Sequence, residues 1–307
     1  MAARSMGPKV SVIIPTYNRP QLIKRTVGSA LEQTYKNIEI IVVDGDPTGA
    51  TAKVLAPFVK AHPGVVRDFR FEQLPRTGTV YDRANIARNR NAGIRIAEGK
   101  YIAPLDDDDD WPDNEKLAKQ VAFMEAHPEY TLTAGGLMGV IKHPGGTVTK
   151  EAILFAERDE DIRKMILMLF GIMNSTVMYK KCDWERVGGY DEIHPVSETQ
   201  DFHLKLGKIG KLYNFQDYFV RYVFGEHERD HIVKYGRYCL YDGFRIIWTY
   251  RKDYPGVYKA FAVQALYYAY TFVPLGIKNV LRSFSAKIQV AFFRKFGGTN
   301  AKREKMS

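Results

Sequence analysis

The chain has 307 residues, 45% of them hydrophobic and 26% charged, which excludes a disordered or fibrous protein and suits one large α/β domain with an extension, or two domains. The formal net charge of +10 points to a polyanionic neighbour, whether nucleic acid, anionic lipid or a phosphorylated substrate. The 2 cysteines, Cys182 and Cys239, form no disulfide framework, which fits a reducing cytoplasm.

MAARSMGPKV at the N-terminus lacks the apolar core of a signal peptide. Lys9 to Pro15 is a short β-branched run and reads as a buried strand. A helix follows: Pro20 suits its first position, and Leu22, Ile23, Thr26, Val27, Ala30 and Leu31 recur at helical spacing. Asn37 to Asp44 is a second apolar strand, Ala50 to Lys60 a weaker helix, and Asp68 to Leu74 a third strand. A helix over Tyr81 to Glu98 stops at Gly99, and YIAPL then runs into the block Asp106-Asp107-Asp108-Asp109-Asp110-Trp111. Further on, Lys116 to Ala126 is helical and YTLTAGGLMGVI extended. Asp159 to Phe170 is helical and MNSTVMYKK extended. A short helix carries Phe202, Leu204, Leu206 and Ile209. From Tyr235 the chain turns helical, aromatic and basic.

Alternating strands and helices predict an α/β fold: a mostly parallel, Rossmann-like sheet with helices on both faces, plus a helical C-terminal extension. In such sheets ligands bind beyond the carboxyl ends of the strands. Thr16-Tyr17, Asp44 and Asp106 each follow a predicted strand, so three polar sites meet along one edge. Asp106 and Asp108 are two apart and, if the strand continues, point to one side. Two carboxylates there repel unless a divalent cation lies between them, and hard oxygen ligands select Mg²⁺ or Mn²⁺. The plainer alternative is an acidic loop, with Asp113 serving the next helix N-terminus.

Three blocks carry a family resemblance. VSVIIPTYNRPQLIKRTVGSALEQTYKNIEIIVVDGDPTGAT resembles the opening of family 2 glycosyltransferases, which have the nucleotide-sugar-binding A-type fold. RNRNAGIRIAEGKYIAPLDDDDDWPDNEKLAKQ resembles their segment through the D-x-D motif, and VGGYDE with SETQDFHLKL their acceptor side. The resemblance implies an inverting, metal-dependent transfer of a sugar from a nucleoside diphosphate donor, expected to be a UDP-sugar. The acceptor would be a hydroxyl of a glycan or lipid-linked glycan, in cell-surface polysaccharide or glycolipid synthesis. Pro15, Thr16, Tyr17 and Arg19 would hold the nucleoside, Asp44 the base, and Arg90 would lie near the nucleotide. Asp106, Asp107 and Asp108 would form the donor end, with Asp108 and Asp106 as metal ligands and His227 a further candidate.

Two departures stand out. VDGDP replaces the family's VDDGS, so Gly45 stands where the second Asp is usual. Thr199 stands at the position of the usual base, leaving Asp201 as first candidate and Glu198 as second. Thr199 is also the support for the rival reading, a catalytically weak or inactive nucleotide-sugar-binding protein. His203 reads as a packed or surface residue and Trp111 as one that pins its loop to the sheet. Arg76 and Arg83 touch phosphate or solvent.

The segment Ala260 to Ile277 is apolar but interrupted by Gln264, Thr271 and Pro274, which reads as interfacial or buried rather than spanning. Beyond it, Lys278, Arg282, Lys287, Arg294, Lys295, Lys302, Arg303 and Lys305 with interspersed aromatics read as an anchor to an anionic membrane surface. The expected organisation is a catalytic domain over 1–230 and a basic, aromatic extension over 231–307, cytoplasmic and peripheral on the inner face of the membrane. No nucleic acid is expected, since the basic excess concentrates in the tail. A homo-oligomer is compatible.

Overall fold

The computed structural model describes residues 7–273 apart from 76, 78–81, 83, 143–147, 169–170, 195 and 225–227. The first half alternates β1 (Val10–Thr16), α1 (Pro20–Leu31), β2 (Ile38–Asp44), α2 (Ala50–Ala61), β3 (Val66–Arg70), α3 (Ala84–Ile96) and β4 (Tyr101–Pro104). The four strands lie in the order β3-β2-β1-β4, all parallel. Residues of β1 and β2 are buried throughout, as a parallel sheet covered on both faces requires. Ile13, Ile41 and Val43 enter one apolar layer, and Val12, Ile14, Ile40 and Val42 the other. The chain lays β2 and β3 on one side of β1, then β4 on the other. That reversal opens a crevice at the carboxyl ends of β1 and β4.

The second half contributes α4 (Lys116–Ala126), β5 (Tyr130–Lys142), β6 (Val148–Ile153), α5 (Asp159–Met165), β7 (Met178–Lys180), α6 (Lys181–Val187), α7 (Glu198–Ile209) and β8 (Lys211–Phe224). Here β7 runs antiparallel to β4 and β5, β6 antiparallel to β5, and β8 parallel to β5. The expected α/β sheet is therefore present, extended on one side by a mixed set of strands in which β7 and β6 run antiparallel to their neighbours.

Three local expectations change. The third strand ends at Arg70, because residues 71–75 leave the sheet and Leu74 is tied to α3 through Asn85. MNSTVMYKK starts as a 3-10 turn over Asn174–Thr176 and is extended over Met178–Lys180. The helix expected to reach Phe170 ends at Met165.

At the C-terminal end stand α8 (Glu228–Thr249) and α9 (Val257–Thr271). Ile246, Ile247, Tyr250, Tyr254 and Ala260 share one core with Phe202, Leu204 and Leu206 of α7. The boundary expected between 230 and 231 falls inside α8, and the following helices are part of the same packed body. The basic residues from Lys278 onward lie outside the described residues.

Candidate active site

The aspartate block follows β4, and the loop after β1 lies beside it. Thr16 Oγ1 donates to Asp107 Oδ2 at 2.8 Å, and Arg19 reaches both Asp107 and Asp108 at 3.0 Å. Asn18, with φ 53°, makes the turn that precedes Arg19 and the start of α1 at Pro20. Thr26 of α1 donates to the carbonyls of Asp107 and Asp109 at 2.9 Å. Arg25 pairs with Asp110 at 3.1 Å, and Arg221 of β8 takes the other Asp110 oxygen at 3.1 Å. Ser175 donates to Asp109 at 2.5 Å.

Burial divides the five carboxylates. Side chains of Asp106 and Asp108 are 33% and 36% exposed, against 9% for Asp107 and 5% for Asp110. Asp109 is also buried. Burial pushes the Asp107 carboxyl up to about 6, against the pull of Arg19. Burial, reinforced by Asp106 and Asp108, pushes Asp109 well above the usual range. The shared exposure of Asp106 and Asp108 does not come from strand alternation. β4 stops at Pro104, and the Asp109 N–H closes a turn onto the Asp106 carbonyl at 3.1 Å.

Arg90, on α3, joins the block to α7. Its guanidinium donates to Asp106 at 2.7 Å and to Glu198 at 3.0 Å, and it lies within 3.4 Å of the Thr199 hydroxyl. Burial works against its charge, but Asp106 and Glu198 outweigh it and hold the guanidinium charged. Asp201, one turn beyond Glu198, is engaged elsewhere. It accepts from the Tyr250 hydroxyl at 2.7 Å and pairs with Lys205 at 2.7 Å. The motif comparison ranked Asp201 ahead of Glu198; the contacts place Glu198 with Arg90 and Asp106, and Asp201 against the C-terminal helices. His203 is buried, and burial first, then Arg90, pulls its imidazole down to about 3, as fits a packed residue. Trp111 is buried and donates to the Ser175 carbonyl at 2.7 Å, with Lys116 Nζ 4.1 Å from its ring centre, so it pins the loop.

A cavity of about 590 Å³ opens beside the ends of β1 and β2, walled by Tyr17, residues 44–47 and residues 70–75. Asp44 lies at its base, and burial is the largest cause of a raised carboxyl pKa there. Asp46, two residues on, does not replace the missing second Asp. It accepts from Thr48 and Thr51 and builds the turn into α2.

The model of glycosyl transferase family 2 matches residues 11–172. The chain belongs to glycosyl transferase family 2. It is 40% identical over 116 residues to the Escherichia coli UDP-Glc:alpha-D-GlcNAc-diphosphoundecaprenol beta-1,3-glucosyltransferase WfaP, covering 38% of this chain and 41% of that one. To the putative teichuronic acid biosynthesis glycosyltransferase TuaG of Bacillus subtilis it is 35% identical over 134 residues, 43% of this chain and 48% of that one. The chain thus spans less than half the length of these two relatives. The amylovoran biosynthesis glycosyltransferase AmsB of Erwinia amylovora is 26% identical over 267 residues, 84% of each chain.

Among solved structures, the Pyrobaculum calidifontis mannosyltransferase PcManGT in complex with GDP-Man and Mn²⁺ superposes with a TM-score of 0.60 at 18% identity, covering 95% of this chain and 83% of that one. S. aureus TarS 1-349 in complex with UDP-GlcNAc gives a TM-score of 0.59 at 18% identity, covering 86% and 71%. At that identity the likeness speaks for the fold.

The part-exposed carboxylates Asp106 and Asp108, paired here with Arg90 and Arg19, are hard oxygen donors of the kind that Mg²⁺ or Mn²⁺ takes. Among the described residues no cluster of three metal-ligating side chains forms, and His227 lies outside them, as do Arg76 and Arg83. Sequence reasoning missed Gln73, Arg25, Ser175, Arg221 and Tyr250. None belongs to a motif, and the fold alone brings each to its partner.

Proposed function

We propose that the chain transfers a sugar, with inversion, from a nucleoside diphosphate donor to a hydroxyl of a glycan or lipid-linked acceptor in polysaccharide synthesis. One observation carries this reading. Arg90 ties Asp106 to Glu198, so the exposed carboxylate pair and a carboxylate of the acceptor side meet at one crevice. The polysaccharide setting is supported by the named activities of WfaP, TuaG and AmsB. A UDP-sugar is the donor expected from the family resemblance, and TarS carries UDP-GlcNAc, but PcManGT carries GDP-Man, so the base is a question for the pocket itself.

Tyr17, Asp44 and the cavity would take the nucleoside, with Pro15, Thr16 and Arg19 shaping its rim. Asp106 and Asp108 would hold Mg²⁺ or Mn²⁺. Such an ion, when bound, neutralises charge on the departing diphosphate. Arg19 and Arg90 stand beside those carboxylates and add positive charge to the same place. In the transfer the anomeric carbon–diphosphate bond breaks, the bond to the acceptor oxygen forms on the opposite face, and the hydroxyl proton passes to a carboxylate. Glu198 takes that proton in this reading, and Asp201 positions α7.

A second reading, a donor-binding protein with feeble turnover, is favoured by the shielding of both candidates. The side chains of Glu198 and Asp201 are each 5% exposed and ion-paired. A Mn²⁺-supplemented transfer and hydrolysis assay over a donor panel decides between them. The enzyme reading expects turnover that falls at least ~100-fold in Asp108→Ala and in Glu198→Gln, the size of a lost acid–base or electrostatic contribution. Donor binding with no turnover from any donor would establish the second reading instead.

The third element of the proposal is a bilayer partner. Among the described residues no helix is long and apolar enough to cross a membrane. α9 nevertheless exposes Tyr258 and Leu266, at 92% and 72%, and the turn just past it exposes Phe272 at 56%. Together with Lys252 and Lys259 it supports peripheral attachment to an anionic surface at the inner face of the membrane.

A further inference from the structure

The sequence leaves unexplained why Gly45 replaces an aspartate directly after Asp44, and the cavity beside it supplies the reason. A Cβ built on Gly45 would lie 2.5 Å from Cδ of Gln73, so the amide of Gln73 occupies the space that a larger residue at 45 would need. Gln73 is held there. Its Nε2 donates to the Phe71 carbonyl at 3.2 Å and to Asn89 Oδ1 at 2.8 Å. A carbonyl can only accept, so the Phe71 bond fixes which end of the amide is nitrogen, and both amide hydrogens are spent. What remains is the oxygen, Oε1, which is buried and has no hydrogen-bond partner among the described residues.

Asp44 presents the same situation. Its Oδ1 accepts from the Asp46 N–H at 2.8 Å, while Oδ2 is buried with no hydrogen-bond partner among the described residues. Both residues wall the 590 Å³ cavity. Two buried acceptors, on two residues that wall one cavity, are left without hydrogen-bond donors among the described residues.

We propose that Gln73 and Asp44 together read the base of the nucleoside diphosphate donor, and that the base they select is guanine. The inference rests on the donor-binding reading given above. Guanine places two donors, N1–H and the exocyclic N2–H, side by side on one edge, one for each acceptor. Uracil has a single N3–H flanked by two carbonyl oxygens. Giving that hydrogen to Asp44 turns a carbonyl oxygen toward Gln73 Oε1, lone pair against lone pair, and Gln73 has no hydrogen left to offer. Specificity of this kind comes from the unpaired group forced by the wrong ligand as much as from the bond made by the right one. Gln73 is thus a specificity-determining residue, and Gly45 is the vacancy that admits it.

The test is calorimetric titration of the full chain with GDP, UDP, CDP and ADP in the presence of Mn²⁺. GDP is expected to bind at least about tenfold tighter than UDP, the scale of one well-placed hydrogen bond. Gln73→Leu is expected to weaken GDP by about tenfold and to leave UDP no weaker, since it removes an acceptor that uracil cannot use. Gly45→Asp is expected to displace Gln73 and erase the preference. UDP binding as tightly as GDP, or Gln73→Leu weakening both alike, overturns the guanine assignment while leaving the donor site standing. Binding of no nucleoside diphosphate by the folded wild-type chain overturns the donor reading itself. The wild-type panel decides the base even if a variant does not fold.

Discussion

Asp46 accepts four hydrogen bonds, from the backbone N–H and hydroxyl of Thr48 and of Thr51. Burial alone would raise its pKa, but these bonds outweigh burial and hold the carboxyl at about 2. An unfolded aspartate titrates near ~3.9. The folded value lies below it, so the stabilisation is fully present above about pH 4 and is lost as pH falls through about 2. Asp46→Asn should lower stability at neutral pH by ~1–3 kcal/mol. Chemical denaturation across that window should show the wild-type and variant midpoints converging on acidification; a constant gap would exclude the carboxylate as the source. At this scale the sequence was informative where chemistry is paired. Asp106 and Asp108 were singled out by their spacing after a strand, but their shared exposure comes from a turn, because β4 stops at Pro104. The sequence put Asp201 ahead of Glu198; two acids one helical turn apart look alike until their partners are known. Gln73 carried no signal at all, since its meaning depends on what Gly45 lacks.

The placement of Arg90 depends on how closely α3 lies on the sheet. A Cβ on Gly93 would come within 2.7 Å of Val43 Cγ2 and 2.9 Å of Ile13 Cγ2. The glycine of the Arg-Asn-x-Gly stretch is therefore a contact point between helix and strands, one turn from the guanidinium that reaches Asp106. Asn91 fixes the same helix to the chain before α7, through Tyr190, Glu192 and the Trp184 ring nitrogen. Gly93→Ala should push α3 outward at a cost of ~1–3 kcal/mol. Urea unfolding and nucleotide titration should both register the change, and donor affinity should fall more than a distant variant of equal stability loss. Unaltered stability and affinity would show that the helix has slack. Elements such as β1 and β2 were legible because their apolar runs are continuous. β8 was not, because its pairing with β5 shifts register near Gly136, which breaks the alternation a strand otherwise displays. Residues 71–74 read as strand because nothing local marks the point where the chain leaves the sheet.

On the scale of the molecule, α7 is gripped from two sides. Arg90 holds Glu198, and Tyr250 holds Asp201, so the C-terminal helices bear directly on the helix that lines the crevice. Their outer face exposes Tyr258 and Leu266 near Lys259. Flotation with phosphatidylglycerol-rich vesicles should recover the chain at low salt, with recovery falling several-fold in the Tyr258→Ser, Leu266→Ser double variant and on raising salt, which screens the lysines. Flotation indifferent to both would remove the bilayer from the proposal. The aspartate block has an electrical consequence at the same scale. Arg19, Arg25, Arg90 and Arg221 lie against the block, so its five aspartates and these four arginines balance to a formal charge of about one negative. Beyond a Debye length of ~8 Å the loop is nearly mute, and an incoming polyphosphate meets instead the field of a chain whose net charge is +10. The most acidic stretch of the sequence therefore puts up almost no barrier to an anion until the two are in contact.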